Sequence, residues 1–271
     1  MSLKRRLEVS GTAVRPGPRL FVADDIGAGR AVALAPGQAH YLKNVMRLGP
    51  GDAVVLFNGR DGEWSGRIAA LGRGAGSVSA ESQRRPQAAE PDIRLLFAPI
   101  KRAPGDFLIQ KAVELGVSCL WPVLTRHTDV GRFNVERARS TAIETAEQCE
   151  RLTLPDIRAP ARLEDALAGW PASRPLLVCA ESGPQRPIAD VLDELKARDA
   201  ATSAGMALLV GPEGGFATSE LDALRNLPFV MAVGLGPRVL RAETAVLAAL
   251  ACWQSVLGDW KSSRIQPSKA T

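Results

Sequence analysis

The sequence has two histidines, His40 and His127, and they stand too far apart to suggest a histidine-based metal cluster. Its four cysteines, Cys119, Cys149, Cys179 and Cys252, show no paired spacing. All four fall in expected helices or strands, so free thiols in a reducing cytoplasm are expected rather than disulfides or zinc. No uncharged apolar run reaches the ~18 residues that a membrane-spanning helix needs. Lys4, Arg5 and Arg6 are not followed by an apolar segment, so no signal peptide is expected. There is no GxxxxGK[ST], which excludes a P-loop. No GxGxxG follows the first α/β strand, so an ordinary dinucleotide or Rossmann-type methyltransferase site lacks its signature. No GxSxG elbow is present. Internal repeats and low-complexity tracts are also missing.

What is there is a soluble-type composition of 271 residues with a net charge of +5 and a pI near 9.3. That balance suits a polyanionic partner or a bland basic enzyme. Residues 1–18 read as a basic arm containing Lys4, Arg5, Arg6 and Arg15. Short strands are expected at 19–22, 53–57, 64–71 and 77–82, with Asn58-Gly59 as a hairpin-type turn. One helix follows Pro36, with Leu42, Val45 and Met46 as its apolar stripe and His40, Lys43, Asn44 and Arg47 on or beside its polar face. Together these predict a small β-barrel over 19–83. A proline-containing polar stretch, 84–91, reads as a linker.

From 92 to 271 the pattern changes to strands alternating with helices, the sign of a mostly parallel sheet covered on both faces. Strands are expected at 93–98, 117–124, 176–180, 206–210 and 229–233. Helices are expected at 104–115 with Gly116 behind it, from Asn134 to about 152, at 187–198, at 218–227 and from 242 to about 257. Two of the strands each end in a glycine-rich loop that leads into a helix. These are Gly211-Pro212-Glu213-Gly214-Gly215-Phe216 and Gly234-Leu235-Gly236-Pro237-Arg238-Val239-Leu240-Arg241. Ligands in open α/β sheets bind beyond the carboxyl ends of strands, so one pocket built from both loops is expected.

The GPEGGF loop and the run Leu235 to Ala245, LGPRVLRAETA, closely resemble the SPOUT-class RNA methyltransferases, and within them the bacterial 16S ribosomal RNA uracil-N3 methyltransferase family. Gln110 to Val117, Glu144 to Arg151 and His40 to Leu48 carry the resemblance upstream, over nearly the whole chain. The basic arm before Arg19 is longer than that family's pattern. The resemblance implies an α/β SPOUT domain with a deep trefoil knot and a PUA-like RNA-binding barrel. It also implies S-adenosylmethionine as cofactor, a homodimer joined through the knot domain, and small-subunit ribosomal RNA as substrate.

On this reading Leu209, Val210, Leu235 and Leu240 form an apolar slot for adenine, and Gly211, Gly214, Gly234 and Gly236 expose backbone to it. Glu213 and Thr244 complete the cofactor set with Arg241. Arg238 and Arg241 are the catalytic candidates. An arginine is a poor base, because its pKa exceeds ~12, but it stabilises developing negative charge on uracil oxygens or holds a phosphate bidentately. The competing reading leaves these arginines solvated or pairs them with Glu243. Arg19, His40, Lys43, Asn44, Arg47, Lys101 and Arg102 are the RNA-contact candidates. Gln148 and Arg151, one turn apart, are read as helix-surface or dimer contacts. No general base is evident. Ribose 2′-O methylation and a non-catalytic RNA-binding knot protein stay open as alternatives.

Overall fold

The computed structural model describes residues 17–129, 133–198 and 205–261. The expected basic arm lies outside these, apart from its last two residues. The chain divides into two compact units, up to Pro86 and from Gln87 onward.

The first unit contains β1 (Arg19–Phe21), β2 (Ala31–Leu34), α1 (Pro36–His40), β3 (Ala53–Phe57), β4 (Glu63–Leu71) and β5 (Gly76–Arg85). The strands lie in the order β1-β3-β4-β5-β2, with β1 parallel to β3 and the other pairs antiparallel. The ladder is open between β1 and β2, yet both put side chains into one core with Leu42, Leu56, Ile68 and Val78. In β2 alternate residues are buried, the period of two that a pleated strand imposes. Asn58 Oδ1 accepts from the Arg60 and Asp61 amides at 3.0 and 2.8 Å, which closes the turn into β4.

Three sequence expectations change in this unit. β5 runs through Arg85, so residues 84 and 85 are strand rather than linker. Arg19 does not face a partner RNA: its side chain is buried, donates to Glu63 Oε1 at 2.8 Å and lies 3.6 Å over the Phe57 ring. Arg85 also donates to Glu63. Burial pushes the Glu63 carboxyl up, but the hydrogen bonds and charges of Arg85 and Arg19 outweigh that and hold it below its ordinary value. Last, the apolar stripe after Pro36 is broken. α1 passes into a π-helical turn, Tyr41–Val45, with the Met46 amide donating to the Tyr41 carbonyl. The wider turn rotates the i, i+3, i+4 positions off one face. Leu42 is buried, while Val45 and Met46 are exposed beside Tyr41.

The second unit contains β6 (Ile93–Phe97), α2 (Arg102–Glu114), β7 (Cys119–Leu124), α3 (Val135–Cys149), β8 (Asp156–Ile157), β9 (Ala161–Arg162) and α4 (Leu163–Leu167). It continues with β10 (Leu176–Cys179), β11 (Arg186–Pro187), α5 (Ile188–Ala197), β12 (Met206–Val210), α6 (Thr218–Arg225), β13 (Val230–Gly234) and α7 (Ala242–Val256). The sheet order is β11-β13-β10-β12-β6-β7-β8, with every pair parallel and β9 beside β7. Local signals set the helix ends. Asn134 Oδ1 accepts from the Arg137 amide at 2.9 Å, and Gly116 follows α2 with φ +81°.

Helices cover both faces of the sheet. Leu208 and Val210 point to the face packed by α2, α3, α5 and α7, and Ala207 and Leu209 to the face packed by α4 and α6. Every residue of β12 is buried, as a central parallel strand requires. Burying one leucine side chain of this kind stabilises the fold by roughly 1.5–3 kcal/mol.

Candidate functional site

Because the sheet is parallel, the strands deliver their carboxyl ends to one edge. Cys179 of β10 stands opposite Val210 of β12 and Val233 of β13. Strand β10 lies between β12 and β13, although those two are successive strands in the chain. The loop after β10 therefore joins the two glycine-rich loops, and all three enclose a cavity of about 420 Å³. Val210, Val233, Leu235, Leu240 and Ala245 supply apolar wall. Glu181, Gln185, Glu213, Arg238 and Arg241 supply polar groups.

The loops are held from behind. The Gly215 amide donates to the Pro212 carbonyl at 2.9 Å, and Gly215 has φ +69°. His127 Nδ1 lies 3.2 and 3.1 Å from the Gly214 and Gly215 carbonyl oxygens. Glu220 is buried and accepts from the Ala217 amide and the Arg126 amide, both at 2.9 Å. It both caps α6 and ties the turn after β7 to the loop after β12. Gly236 has φ +102°, and a side chain there would extend into open space.

Among the described residues the side chains of Glu181, Glu213, Arg238 and Arg241, all exposed, have no hydrogen-bond or ion-pair partner. The expected alternative pairing of either arginine with Glu243 is not observed among the described residues. Cys179 also reaches the wall, but burial pushes its thiol up to about 12, so it is neutral at physiological pH and unsuited to nucleophilic work.

Of the cofactor candidates, Val210, Gly211, Glu213, Leu235, Gly236, Leu240 and Arg241 line the cavity, as does the catalytic candidate Arg238. Four do not. Leu209 faces the opposite side of the sheet with Leu224 and Trp170, because β12 is covered on both faces and alternate residues part company. Gly214 lies behind the wall, where a Cβ would come 3.3 Å from that of His127. Gly234 packs against Gln185, and Thr244 is exposed on the first turn of α7, outside the lining.

Of the RNA candidates, His40, Lys43, Asn44 and Arg47 are exposed on and just after the π turn, with Asn44 Nδ2 2.8 Å from His40 Nδ1. Lys101 is exposed at the start of α2, and the side chain of Arg102 lies outside what is described. Gln148 is exposed, while Arg151 is engaged internally by Glu90, Thr153 and the Val113 carbonyl. The residues missed in the sequence are Glu181 and Gln185. The only signal was that β10 ends in Glu181-Ser182-Gly183, as the other two strands end in loops with glycine.

Comparison with known proteins agrees with this architecture. Residues 88–254 match the RNA methyltransferase domain family, and residues 34–80 match the RNA methyltransferase PUA domain. The ribosomal RNA small subunit methyltransferase E of Rickettsia conorii is 30% identical over 234 residues, covering 86% of this chain and 93% of that one. The crystal structure of ribosomal RNA small subunit methyltransferase E from Neisseria gonorrhoeae bound to S-adenosyl methionine has 27% identity and a TM-score of 0.78. It covers 90% of this chain and 99% of that chain. A Legionella pneumophila methyltransferase solved with the bound cofactor S-adenosylmethionine gives 25% identity and a TM-score of 0.72, covering 88% and 97%.

Proposed function

The chain belongs to the RNA methyltransferase family, and from that premise we propose that it methylates N3 of a uridine in 16S ribosomal RNA, using S-adenosylmethionine bound in the cavity at the ends of β10, β12 and β13. The observation that carries this reading is the cavity itself, which combines apolar walls, glycine backbone and charges of both signs that have no partner among the described residues. Its volume of about 420 Å³ falls within the usual range for small-molecule sites. Val210, Leu235 and Leu240 suit an adenine face, Gly211 and Gly236 leave backbone accessible to it, and the carboxylates suit a cationic ligand. When bound, that cofactor supplies an electrophilic methyl group.

The protein's own residues do the rest. The N3–H proton of uracil passes to solvent water, the negative charge left behind spreads to the flanking carbonyl oxygens, and N3 would take the methyl from the donor's sulfur, leaving a neutral thioether. Arg238 or Arg241 stabilises that charge, and fixed donors of this kind contribute about a hundredfold or more to rate. Neither acts as a base. The exposed group Lys43, Asn44 and Arg47, with His40, positions RNA through phosphate contacts, and the cavity reads one unstacked base. The loop threading is that of a trefoil knot, and the active form is a homodimer joined through the second unit, working in the cytoplasm on ribosomal RNA or its assembly intermediates.

Digesting methylated RNA to nucleosides and weighing the products tests the reaction. Expected is 3-methyluridine; a 2′-O-methyl nucleoside would overturn the base assignment. Binding to RNA should weaken steeply with salt, and Lys43→Ala with Arg47→Ala should flatten that dependence by roughly one unit of slope per lost phosphate contact.

A further inference from the structure

We propose that Glu181 is the anionic subsite for the sulfonium end of the cofactor, and that it lets the cavity hold the charged cofactor more tightly than the uncharged thioether left after transfer. This rests on the cofactor reading given above. Glu181 follows β10 directly and lines the cavity. Its Oε2 lies 2.9 Å from where a Cβ on Gly215 would stand. The carboxylate therefore lies against the backbone of the loop after β12, in space that exists because Gly215 has no side chain. Its own segment is clamped: Arg225 Nη2 donates to the Ser182 carbonyl at 3.0 Å, and a Cβ on Gly183 would run into the same guanidinium. The backbone that carries Glu181 is thereby fixed, which lowers the entropy lost when its side chain meets a ligand.

Glu181 also lacks a partner among the described residues, although arginines are plentiful nearby in sequence and fold. Within the cavity the cations Arg238 and Arg241 belong to the loop after β13 and repel a positively charged ligand group. The cationic end is favoured only at the acidic wall. Both acids there are exposed, but the Glu181 carboxylate lies against the Gly215 backbone, whereas no side-chain contact among the described residues fixes Glu213. The apolar residues Val210, Leu235 and Leu240 lower the local polarity, which strengthens a charge–charge attraction over its value in water.

S-adenosylmethionine and S-adenosylhomocysteine share adenosine, the α-ammonium and the α-carboxylate. They differ by the methyl group and the positive charge on sulfur. Comparing the two ligands therefore isolates the proposed contact. Calorimetric titration of both into the full chain, its Glu181→Gln and Glu181→Asp forms, and Glu213→Gln reads it directly. Expected is about a tenfold loss of S-adenosylmethionine affinity in Glu181→Gln, with S-adenosylhomocysteine changed by less than about threefold, partial recovery in Glu181→Asp, and a smaller effect in Glu213→Gln. Equal losses for both ligands would place Glu181 on the shared part and overturn the proposal, as would no change. Unaltered thermal melting of the variants shows that they are folded. A wild-type chain that binds neither ligand would instead sink the cofactor reading itself.

Discussion

The two edges of the parallel sheet treat charge in opposite ways. At the amino edge, before β6, β7, β10 and β12, opposite charges meet each other, although Nε and Nη1 of the buried Arg174 have no hydrogen-bond partner among the described residues. Arg174, 8% exposed, donates through Nη2 to Asp92 Oδ2 at 2.6 Å, and Ser118 donates to Asp92 Oδ1 at 2.6 Å. The Asp92 carbonyl accepts the Met206 amide, and Gly205 makes room for the Arg174 guanidinium. At the carboxyl edge Glu181, Glu213, Arg238 and Arg241 share one cavity and have no such partners among the described residues. A buried charge must be paired for the chain to fold, whereas a solvated charge in a cleft can wait for a ligand. The contrast separates the edge that holds the fold from the edge offered to a substrate.

The largest expected effect strikes the carboxyl edge. Gly236→Val forces a β-branched residue to φ +102° and directs its methyls into open space at the cavity wall. Cofactor affinity measured by calorimetry should fall by about a hundredfold or more, near 3 kcal/mol. Retained affinity would mean the cavity is not the site. Next comes Arg241→Ala. Methyl transfer should fall about a hundredfold, near 3 kcal/mol, while cofactor affinity holds. Normal turnover would shift the role to Arg238.

The smallest effect belongs to the amino edge. Asp92→Asn leaves the Arg174 cation buried without its counter-charge. Because the Asp92 side chain is 42% exposed, the loss is discounted to about 1–2 kcal/mol. Burial pushes the Asp92 carboxyl up, but hydrogen bonds from Arg174 and Ser118 and the arginine charges hold it below its ordinary value of 3.8. Its contribution is therefore present above pH 3.8 and is lost as pH falls through the lowered value. Denaturant melts of wild type and Asp92→Asn should differ at pH 7 and converge in stronger acid. Equal stability at pH 7 would show that this pair does not anchor the amino edge.

Much of the fold was legible because its signals are local. Asn134, Gly116 and the two glycine loops announce helix ends and turns through backbone chemistry within a few residues. Failures came where a local pattern had more than one spatial solution. Leu42, Val45 and Met46 look like one stripe, but a single π turn moves two of them to the surface. Arg19 looks like one more cation in a basic stretch, but Glu63, 44 positions away in sequence, claims it.

The sequence by itself determined the two-part organisation, the alternation of strands and helices, and the two glycine loops, because hydrophobic period and turn chemistry are encoded in neighbouring residues. Only the tertiary structure decided which strands adjoin. It placed β10 between β12 and β13, and so brought Glu181 and Gln185 to a cavity that the two glycine loops alone do not complete. It also decided that Val210 and not Leu209 faces that cavity. In a strand buried on both faces every residue is apolar, so the side each one takes is set by what packs against it, and that information is spread over the whole chain.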